Sequence, residues 1–436
     1  METKRGGVRA SYHWLLAALL MMMGAGPAMA APELTYHGQF RINYYTESKS
    51  DTSTFGDENA AAARLRFRPT FDVKVNEDVS THLQLNIGHI KENTGNARTD
   101  VGGSPVVALR HAIIQAKVAD NVTGVAGLVP ISDKFGDTLF SGDWDFNPLA
   151  VAFVGDLGGI SYRAGFAKLI ENTESDLATD GSKVKDDLDA YVLDLDAGGF
   201  GGSVYYLDIQ KGATAIGGGS LAIYGLRYAG DLSGVKLNAF VMGSALDMSD
   251  AKVKSNGFAA KVEAKVPVSG MTLGVMGLYA SGDKNYGTAD KTASSFITPM
   301  SLIGHHGYWG YTGKLNIQGP TDTGIDDPVN IDGGSYGNSN LGLGLTTVQV
   351  NLDIPVGDKL SAYVAAGWFQ SNDAPAGKSK DIGTDIYAQG KYKLGEALNL
   401  EFGVDYAALG AGSHMTAAQD KSRNVTTVFS RLQLEY

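Results

Sequence analysis

The chain has 436 residues, no cysteine, and 36 basic against 47 acidic side chains. The lack of cysteine excludes a disulfide framework and a thiolate metal site. The acidic balance disfavours a nucleic-acid partner, because phosphate binding needs a basic face. Hydrogen bonds and burial alone must therefore hold this chain in its fold.

Residues 1–30 have the pattern of a removed secretory signal. A basic segment, Lys4–Arg9, precedes an uncharged stretch rich in Leu, Ala and Met, and Ala28–Ala30 fits the small-x-small cleavage pattern. A helical anchor is the alternative, but the strongly apolar part, Trp14–Met23, is too short to span a bilayer comfortably. This segment holds three basic residues and one acidic residue, so residues 31–436 carry 33 basic and 46 acidic residues, a net charge of −13.

The first segment of the mature chain predicts a strand with one apolar and one polar face. Tyr36 and Tyr44 lie on the apolar face, eight positions apart, and Arg41 lies on the polar one. Eight residues extend over about 26 Å of strand, or about 20 Å along the membrane normal when tilted, close to the separation of two aromatic girdles. In a soluble sandwich the apolar face would meet a second sheet, whereas in a barrel it meets lipid. The alternation recurs near residues 258–266, 348–354, 386–394 and 398–406, which indicates many such strands around a wet interior.

Connections of alternating length give the predicted topology. Short turns are expected near residues 76–78, 119–121, 155–159, 197–201, 230–234, 268–270, 355–358 and 395–396. Longer polar segments are expected near residues 47–61, 92–105, 130–148, 171–186, 210–219, 245–256, 281–341, 370–384 and 409–423. Eight turns and nine loops join eighteen strands, or sixteen if the weak pair around residues 149–154 is merged. The predicted fold class is all-β, a transmembrane antiparallel up-and-down β-barrel in which residues 31–436 form one domain with short periplasmic turns and long external loops.

Charged residues at alternate positions predict a pore lining. Arg64, Arg66 and Arg68 alternate with Leu65 and Phe67, so the three guanidinium groups should share the inner wall. The predicted pore-lining residues are Arg41, Arg64, Arg66, Arg68, Arg163, Arg227, Lys261 and Glu263, with Asp194, Asp196 and Asp208 as further inner-face acids. Such a row either selects anions or forms an internal salt-bridge network, and both roles can coexist.

Two of the predicted loops carry candidate functional residues. The third long loop contains FSGDWDFNP, and the residues Asp143, Trp144, Asp145 and Phe146 are predicted to form a constriction, with a plain external loop as the alternative. The seventh loop has about sixty residues and carries Phe296, His305, His306, Tyr308, Trp309 and Tyr311, a set that suits a lid or packing on the barrel rim. Adjacent histidines and scattered aspartates lack metal-ligand spacing, so no metal site is predicted.

No catalytic site, and no cofactor, is predicted. None of the seven histidines after residue 30 lies in a recognisable nucleophile or zinc motif. The final residues, Arg431–Tyr436, alternate polar and apolar and end on an aromatic ring, which resembles the assembly signal of bacterial outer-membrane barrels. Phe is the commoner last residue there.

The segment RLRFRPTFDVKVNEDVSTHLQL, the DWDFNP loop, the long seventh loop and the strand count together resemble the alginate-export and related porin families. This resemblance implies an outer-membrane channel of a Gram-negative bacterium. It also implies that the pore is lined with arginines that favour acidic sugars or small carboxylates. We therefore expect a porin for passive diffusion of small hydrophilic solutes, possibly anionic or sugar-like. A surface-exposed scaffold for binding or adhesion is the alternative, and a barrel enzyme is a third. The expected partners are membrane lipid, lipopolysaccharide, the barrel assembly machinery and small solutes, with the protein a monomer or a trimer.

Overall fold

The computed structural model describes residues 32–49, 59–91, 107–142, 146–171, 187–211, 217–286, 288–299, 315, 317, 342–374, 376–412 and 423–436. The predicted signal segment lies outside this part. Within these ranges, no helix has the length and apolar character needed to cross a membrane.

The described residues form nineteen strands. Their bounds are Glu33–Lys49 (β1), Asn59–Lys74 (β2), Val79–Lys91 (β3), Val107–Ala119 (β4), Val122–Leu128 (β5), Leu149–Asp156 (β6), Ser161–Glu171 (β7), Asp187–Ala197 (β8), Phe200–Ile209 (β9), Gly219–Leu232 (β10), Val235–Met248 (β11), Val253–Val268 (β12), Met271–Ala280 (β13), Thr292–Ala293 (β14), Leu345–Pro355 (β15), Leu360–Gln370 (β16), Asp381–Lys393 (β17), Leu398–Leu409 (β18) and Arg423–Glu435 (β19).

Eighteen of these strands close into one antiparallel barrel. Each barrel strand pairs with the next along the chain, β13 pairs with β15, and β19 returns to pair with β1. The two-residue β14 is the exception, because it pairs parallel with β12. The predicted count of eighteen is confirmed and the alternative of sixteen is wrong, because Leu149–Asp156 is a separate strand between β5 and β7.

The connections alternate in length, with one exception. Eight turns of two to four residues join the strands at one end of the barrel. At Ser269 and Gly270 both φ angles are positive (48° and 84°), as a two-residue type I′ hairpin requires. At the other end, the predicted loop at 245–256 is wrong. Strands β11 and β12 extend through it and leave only residues 249–252 as a turn, with Lys254 Nζ 2.7 Å from Asp247 Oδ2 across the pair.

The outer face of the barrel is apolar and exposed. Tyr36 and Tyr44 are each about half exposed, on the face predicted for them. Further exposed outer-face residues include Leu149, Val151, Phe153, Leu193, Tyr206, Val241, Phe258, Val350 and Phe402. A surface of this kind is stable only against an apolar medium, so the outer face fits the hydrocarbon layer of a membrane.

The interior is less wet than the sequence suggested. The inner faces of β8–β13 carry buried apolar side chains, including Leu188, Val192, Leu207, Ile223, Met242, Leu246 and Met276. Inward-folded loop residues, among them Phe135, Leu139, Phe296 and Ile297, pack against them. The expected wet interior is therefore only partly polar, because two loops use part of the inner wall as their hydrophobic core.

The last residue lies at the seam between β19 and β1. Backbone hydrogen bonds join Tyr436 to Gly38 in both directions, at 2.9 and 3.1 Å. The Tyr436 hydroxyl lies 2.7 Å from that of Tyr36, and its ring stacks near Phe67. These contacts fix the register of the closing strand pair.

Candidate functional site

A row of arginines lies on the inner wall formed by β1 and β2. Arg41 and Arg66 are direct cross-strand neighbours, and Arg68 lies one inward position further along β2, opposite Gln39. Arg66 donates to Gln39 Oε1 at 2.5 Å, and Arg41 donates to Gln433 Oε1 at 2.8 Å. Arg68 donates to Asn86 Oδ1 at 2.9 Å. Neutral amides thus orient three like charges along one stretch of wall.

The fourth arginine of the predicted row is only partly described. The backbone of Arg64 pairs with Asn43 on β1, which continues the same inward alternation. Its side chain lies outside the described residues.

An ion pair continues the basic wall at β18 and β19. Arg431 Nε donates to Glu401 Oε2 at 2.6 Å, and both side chains are almost fully buried. Lys391 Nζ lies 3.3 Å from the other carboxylate oxygen. A buried carboxylate with two basic partners joins β17, β18 and β19 side by side.

Replacing Glu401 by Gln should destabilise the barrel strongly. The change removes the carboxylate that faces the buried Arg431, and breaking such a pair costs about 3–5 kcal/mol of unfolding free energy. Denaturant titration of the detergent-folded protein measures this loss. Asp247→Asn is the matched control, because its pair with Lys254 is about half exposed and should contribute only about 0–1 kcal/mol. Equal effects of the two substitutions would contradict a buried ion pair between β18 and β19.

Two predicted arginines face carboxylates on the opposite side of the barrel. Arg163 Nε donates to Asp194 Oδ2 at 2.6 Å. Ser203 and Tyr205 both donate to Asp194 Oδ1 at 2.6 Å. Arg227 pairs with Asp196. These groups form an internal network in which basic and acidic side chains are paired.

The remaining predicted inner-wall residues lie on β12, and one acid is placed elsewhere. Lys261 is buried, with its Nζ 3.4 Å from Glu263 Oε2, and Lys265 lies at the same distance from Glu263 Oε1. Asp208 is exposed on the outer face of β9, where it alternates with buried Leu207 and Ile209. Its predicted inward orientation is wrong.

The described parts of the third loop, residues 129–142 and 146–148, fold into the barrel. Phe135 packs edge-to-face on Phe240 and Tyr205, with ring centroids 5.6 and 6.1 Å apart. Gly225 permits this approach, because a Cβ there would lie 2.9 Å from the Phe135 ring. Phe146 stacks on Phe140 at 5.3 Å. Of the predicted constriction, Phe146 thus packs within the loop, and Asp143, Trp144 and Asp145 lie outside the described residues.

Polar contacts attach the third loop to two walls. Arg163 Nη2 donates to the carbonyl of Ser132 at 2.9 Å. On the other side, Arg110 Nη2 donates to the carbonyl of Gly142 at 3.0 Å. Within the loop, Asp133 accepts from the backbone N–H groups of Phe135, Leu139 and Phe140. The described part of the loop is therefore held against the inner wall by hydrogen bonds from two strands.

Burial raises the pKa of the Asp133 carboxyl to about 7, although three backbone N–H groups favour its ionised form. A raised folded-state pKa means that the loop is most stable below the ordinary value of 3.8 and loses stability as pH rises through about 7. Acidification from about pH 8.5 to about pH 5.5 should therefore protect the loop amides from hydrogen exchange more in the native protein than in the Asp133→Asn variant. Hydrogen exchange of residues 129–142 measures this difference. Identical responses of the two proteins would show that Asp133 does not titrate in this range.

The seventh loop also enters the barrel in its described parts. Ser255 donates to the carbonyl of Ser295 at 2.7 Å, and Ile297 N donates to Ser244 Oγ at 3.0 Å. Ile317 N donates to Asp385 Oδ2 at 2.8 Å. Phe296 is buried, whereas His305, His306, Tyr308, Trp309 and Tyr311 lie outside the described residues. In the described part of the chain, no three acidic or histidine side chains converge as metal ligands.

Two arginines of the inner wall were missed by the sequence analysis. Arg431 could have been found, because the alternation of the last strand places it beside Gln433 on the inner face. Arg110 could not, because an irregularity between Gln84 and Leu85 shifts the β3–β4 register. Both Arg110 and His111 then reach the inner wall, where they are 2.9 Å apart.

The comparisons with known proteins show the fold. No family model matches the sequence, and no curated protein matches it. Among solved structures, Pseudomonas aeruginosa OpdK with vanillate matches with a TM-score of 0.56 and 11% identity, covering 92% of this chain and 99% of that one. Pseudomonas aeruginosa OccK9 (OpdG) matches with a TM-score of 0.57 and 11% identity, covering 93% of this chain and 99% of that one. Pseudomonas aeruginosa OccK11 (OpdR) matches with a TM-score of 0.54 and 12% identity, covering 92% of this chain and 96% of that one. OpdK is described as an outer membrane protein. The chain thus shares the closed antiparallel barrel fold of these proteins.

Proposed function

We propose that this protein is an outer-membrane channel for passive diffusion of small hydrophilic solutes, with anionic solutes preferred. The observation that carries the proposal is the arginine row of β1 and β2 on the inner wall of a closed barrel with an apolar outer face. The solved OpdK structure with vanillate, a small carboxylate, supports the same class of solute.

The proposal assigns a role to each part of the barrel. The arginines Arg41, Arg66 and Arg68 attract and guide anions along one wall, because charges in a confined lumen are screened less than in bulk water. The third loop narrows the path from the opposite wall. Arg163, Arg227, Lys261 and Glu263, which form ion pairs, stabilise the wall and the loop. No catalytic group, metal or cofactor is required.

The proposed function includes export of the protein and its location in a membrane. Residues 1–30 are a removed signal, residues 31–436 form one barrel domain, and the barrel lies in the outer membrane of a Gram-negative bacterium. Its outer face contacts lipid and lipopolysaccharide after insertion by the barrel assembly machinery.

Swelling of proteoliposomes tests the solute class. A sugar acid such as glucuronate should enter faster than glucose, which has nearly the same size but no charge. Equal entry rates would contradict anion preference while leaving the channel intact, and the absence of swelling with both solutes would contradict the channel itself.

A further inference from the structure

A chain of hydrogen bonds on the inner wall links two histidines to the third loop. His82 Nδ1 lies 2.6 Å from Asp72 Oδ1, and His82 Nε2 lies 3.3 Å from His111 Nδ1. His111 Nε2 in turn lies 2.9 Å from Arg110 Nη1, which also donates to Gln84 Oε1 at 2.6 Å. Because Arg110 also donates to the carbonyl of Gly142 at 3.0 Å, the chain reaches the loop that narrows the lumen. We name Asp72, His82, His111 and Arg110 the histidine relay.

The direction of every bond in the relay follows from Arg110. A guanidinium can only donate, so His111 Nε2 must accept and the single proton of a neutral His111 lies on Nδ1. That proton is donated to His82 Nε2, which places the proton of a neutral His82 on Nδ1, where Asp72 accepts it. The relay is therefore complete only when both histidines are neutral.

A second proton on either histidine breaks the relay. Protonated His111 has no acceptor left for Arg110 and puts a cation beside a cation. Protonated His82 turns a donor toward the Nδ1–H of His111. Histidine gains its proton between about pH 5 and pH 8, and His82 is 28% exposed, so protons reach it from the lumen.

Other ionisable groups lie on the strands and on the loop next to the relay. On β2, Arg68 lies two positions from Thr70, which accepts from Gln84 at 2.8 Å. On β1, His37 Nε2 lies 2.7 Å from the second oxygen of Asp72. Strand β5 has no ionisable side chain. The ionisable residues of the described part of the third loop are Asp133, Lys134 and Asp137, while Asp143 and Asp145 lie outside it.

We propose that the histidine relay is a pH-sensitive tether of the third loop: protonation of His82 or His111 turns Arg110 away from Gly142 and loosens the loop. The effect on current rests on the proposed channel function, whereas the effect on the loop does not. Arg110 is the positioning residue, and the two histidines act on the loop through it.

Hydrogen exchange tests the tether without relying on conduction. The native protein is compared with the double variant His82→Gln and His111→Gln, which keeps a donor and an acceptor at each position but cannot be protonated. When the pH is lowered from about 8 to about 5, the Gly142 amide of the native protein should come to exchange about ten-fold faster than that of the double variant, after correction for intrinsic exchange rates. Asp133 titrates in both proteins, so the difference between them belongs to the histidines.

Two further variants keep the test decisive. His37→Gln, the matched control, changes a histidine that binds Asp72 but lies off the path to Arg110, and should keep the native pH response. Arg110→Gln should exchange fast at both pH values. The proposal is overturned if the double variant responds to pH as the native protein does, if His37→Gln abolishes the response, or if Arg110→Gln retains it.

Single-channel recording then separates this inference from the proposed function. A channel whose current fluctuations increase on acidification, and do so less in the double variant, supports the tether. A channel with identical pH behaviour in both proteins contradicts the tether and leaves the channel standing. If no protein conducts, the proposed function fails, and the exchange data alone decide the tether.

Discussion

Replacing Arg41, Arg66 and Arg68 together by Gln should shift the channel from anion toward cation preference. The three guanidinium groups lie on neighbouring inward positions of β1 and β2, and Arg41 is directly opposite Arg66. Like charges so close together hold a local excess of anions, and the effect is largest when salt screens it least. Gln keeps the polarity and removes the charge. The reversal potential under a salt gradient should move by about ten millivolts or more toward the cation side at low ionic strength.

The matched control removes positive charge outside the lumen. Lys252 lies in the short turn between β11 and β12, Lys254 lies at the start of β12, and both side chains are more than half exposed. Changing both to Gln should leave the reversal potential where it is. An unchanged reversal potential in the folded triple-arginine variant would mean that the arginine row has only a structural role.

Replacing Phe135 and Leu139 by Ala should widen the pore. Both side chains are almost completely buried against the inner wall, and truncating buried Phe or Leu costs about 2–5 kcal/mol each. The strands should not unfold, because their backbone hydrogen bonds close the barrel independently of the loop. Release of the third loop should raise single-channel conductance about two-fold or more, since conductance follows the narrowest cross-section.

Phe153→Ala provides the comparison for this prediction. Phe153 is 41% exposed on the outer face of β6, so its loss removes an aromatic ring without touching the lumen. Its conductance should equal that of the native protein. If the third-loop amides of the protein with Phe135→Ala and Leu139→Ala exchange fast and its conductance still does not change, the third loop is not the constriction.

Strand alternation predicted the faces of β1 and β2 correctly. It placed Tyr36 outward and Arg41 inward, because side chains alternate strictly along a strand. It failed where a local irregularity breaks the period: Arg110 and His111 both reach the inner wall beside the shift at Gln84. Alternation carries no signal for such positions.

Burial inside the lumen was beyond the reach of the sequence. Val192 and Leu193 are both apolar, and only the tertiary structure separates Val192, buried under the third loop, from Leu193 on the outer face. The loop that covers Val192 begins more than sixty residues before it along the chain, so no local pattern connects them. The extension of β11 and β12 was missed for a related reason, since the cross-strand pair of Asp247 and Lys254 made strand residues look like a polar loop.

Single-channel recording of the purified mature protein in a planar bilayer can decide whether this barrel is an open, anion-preferring channel. We expect stepwise conductance with a reversal potential on the anion side in a salt gradient. The absence of steps above background, from protein whose heat-modifiable migration shows a folded barrel, would contradict it.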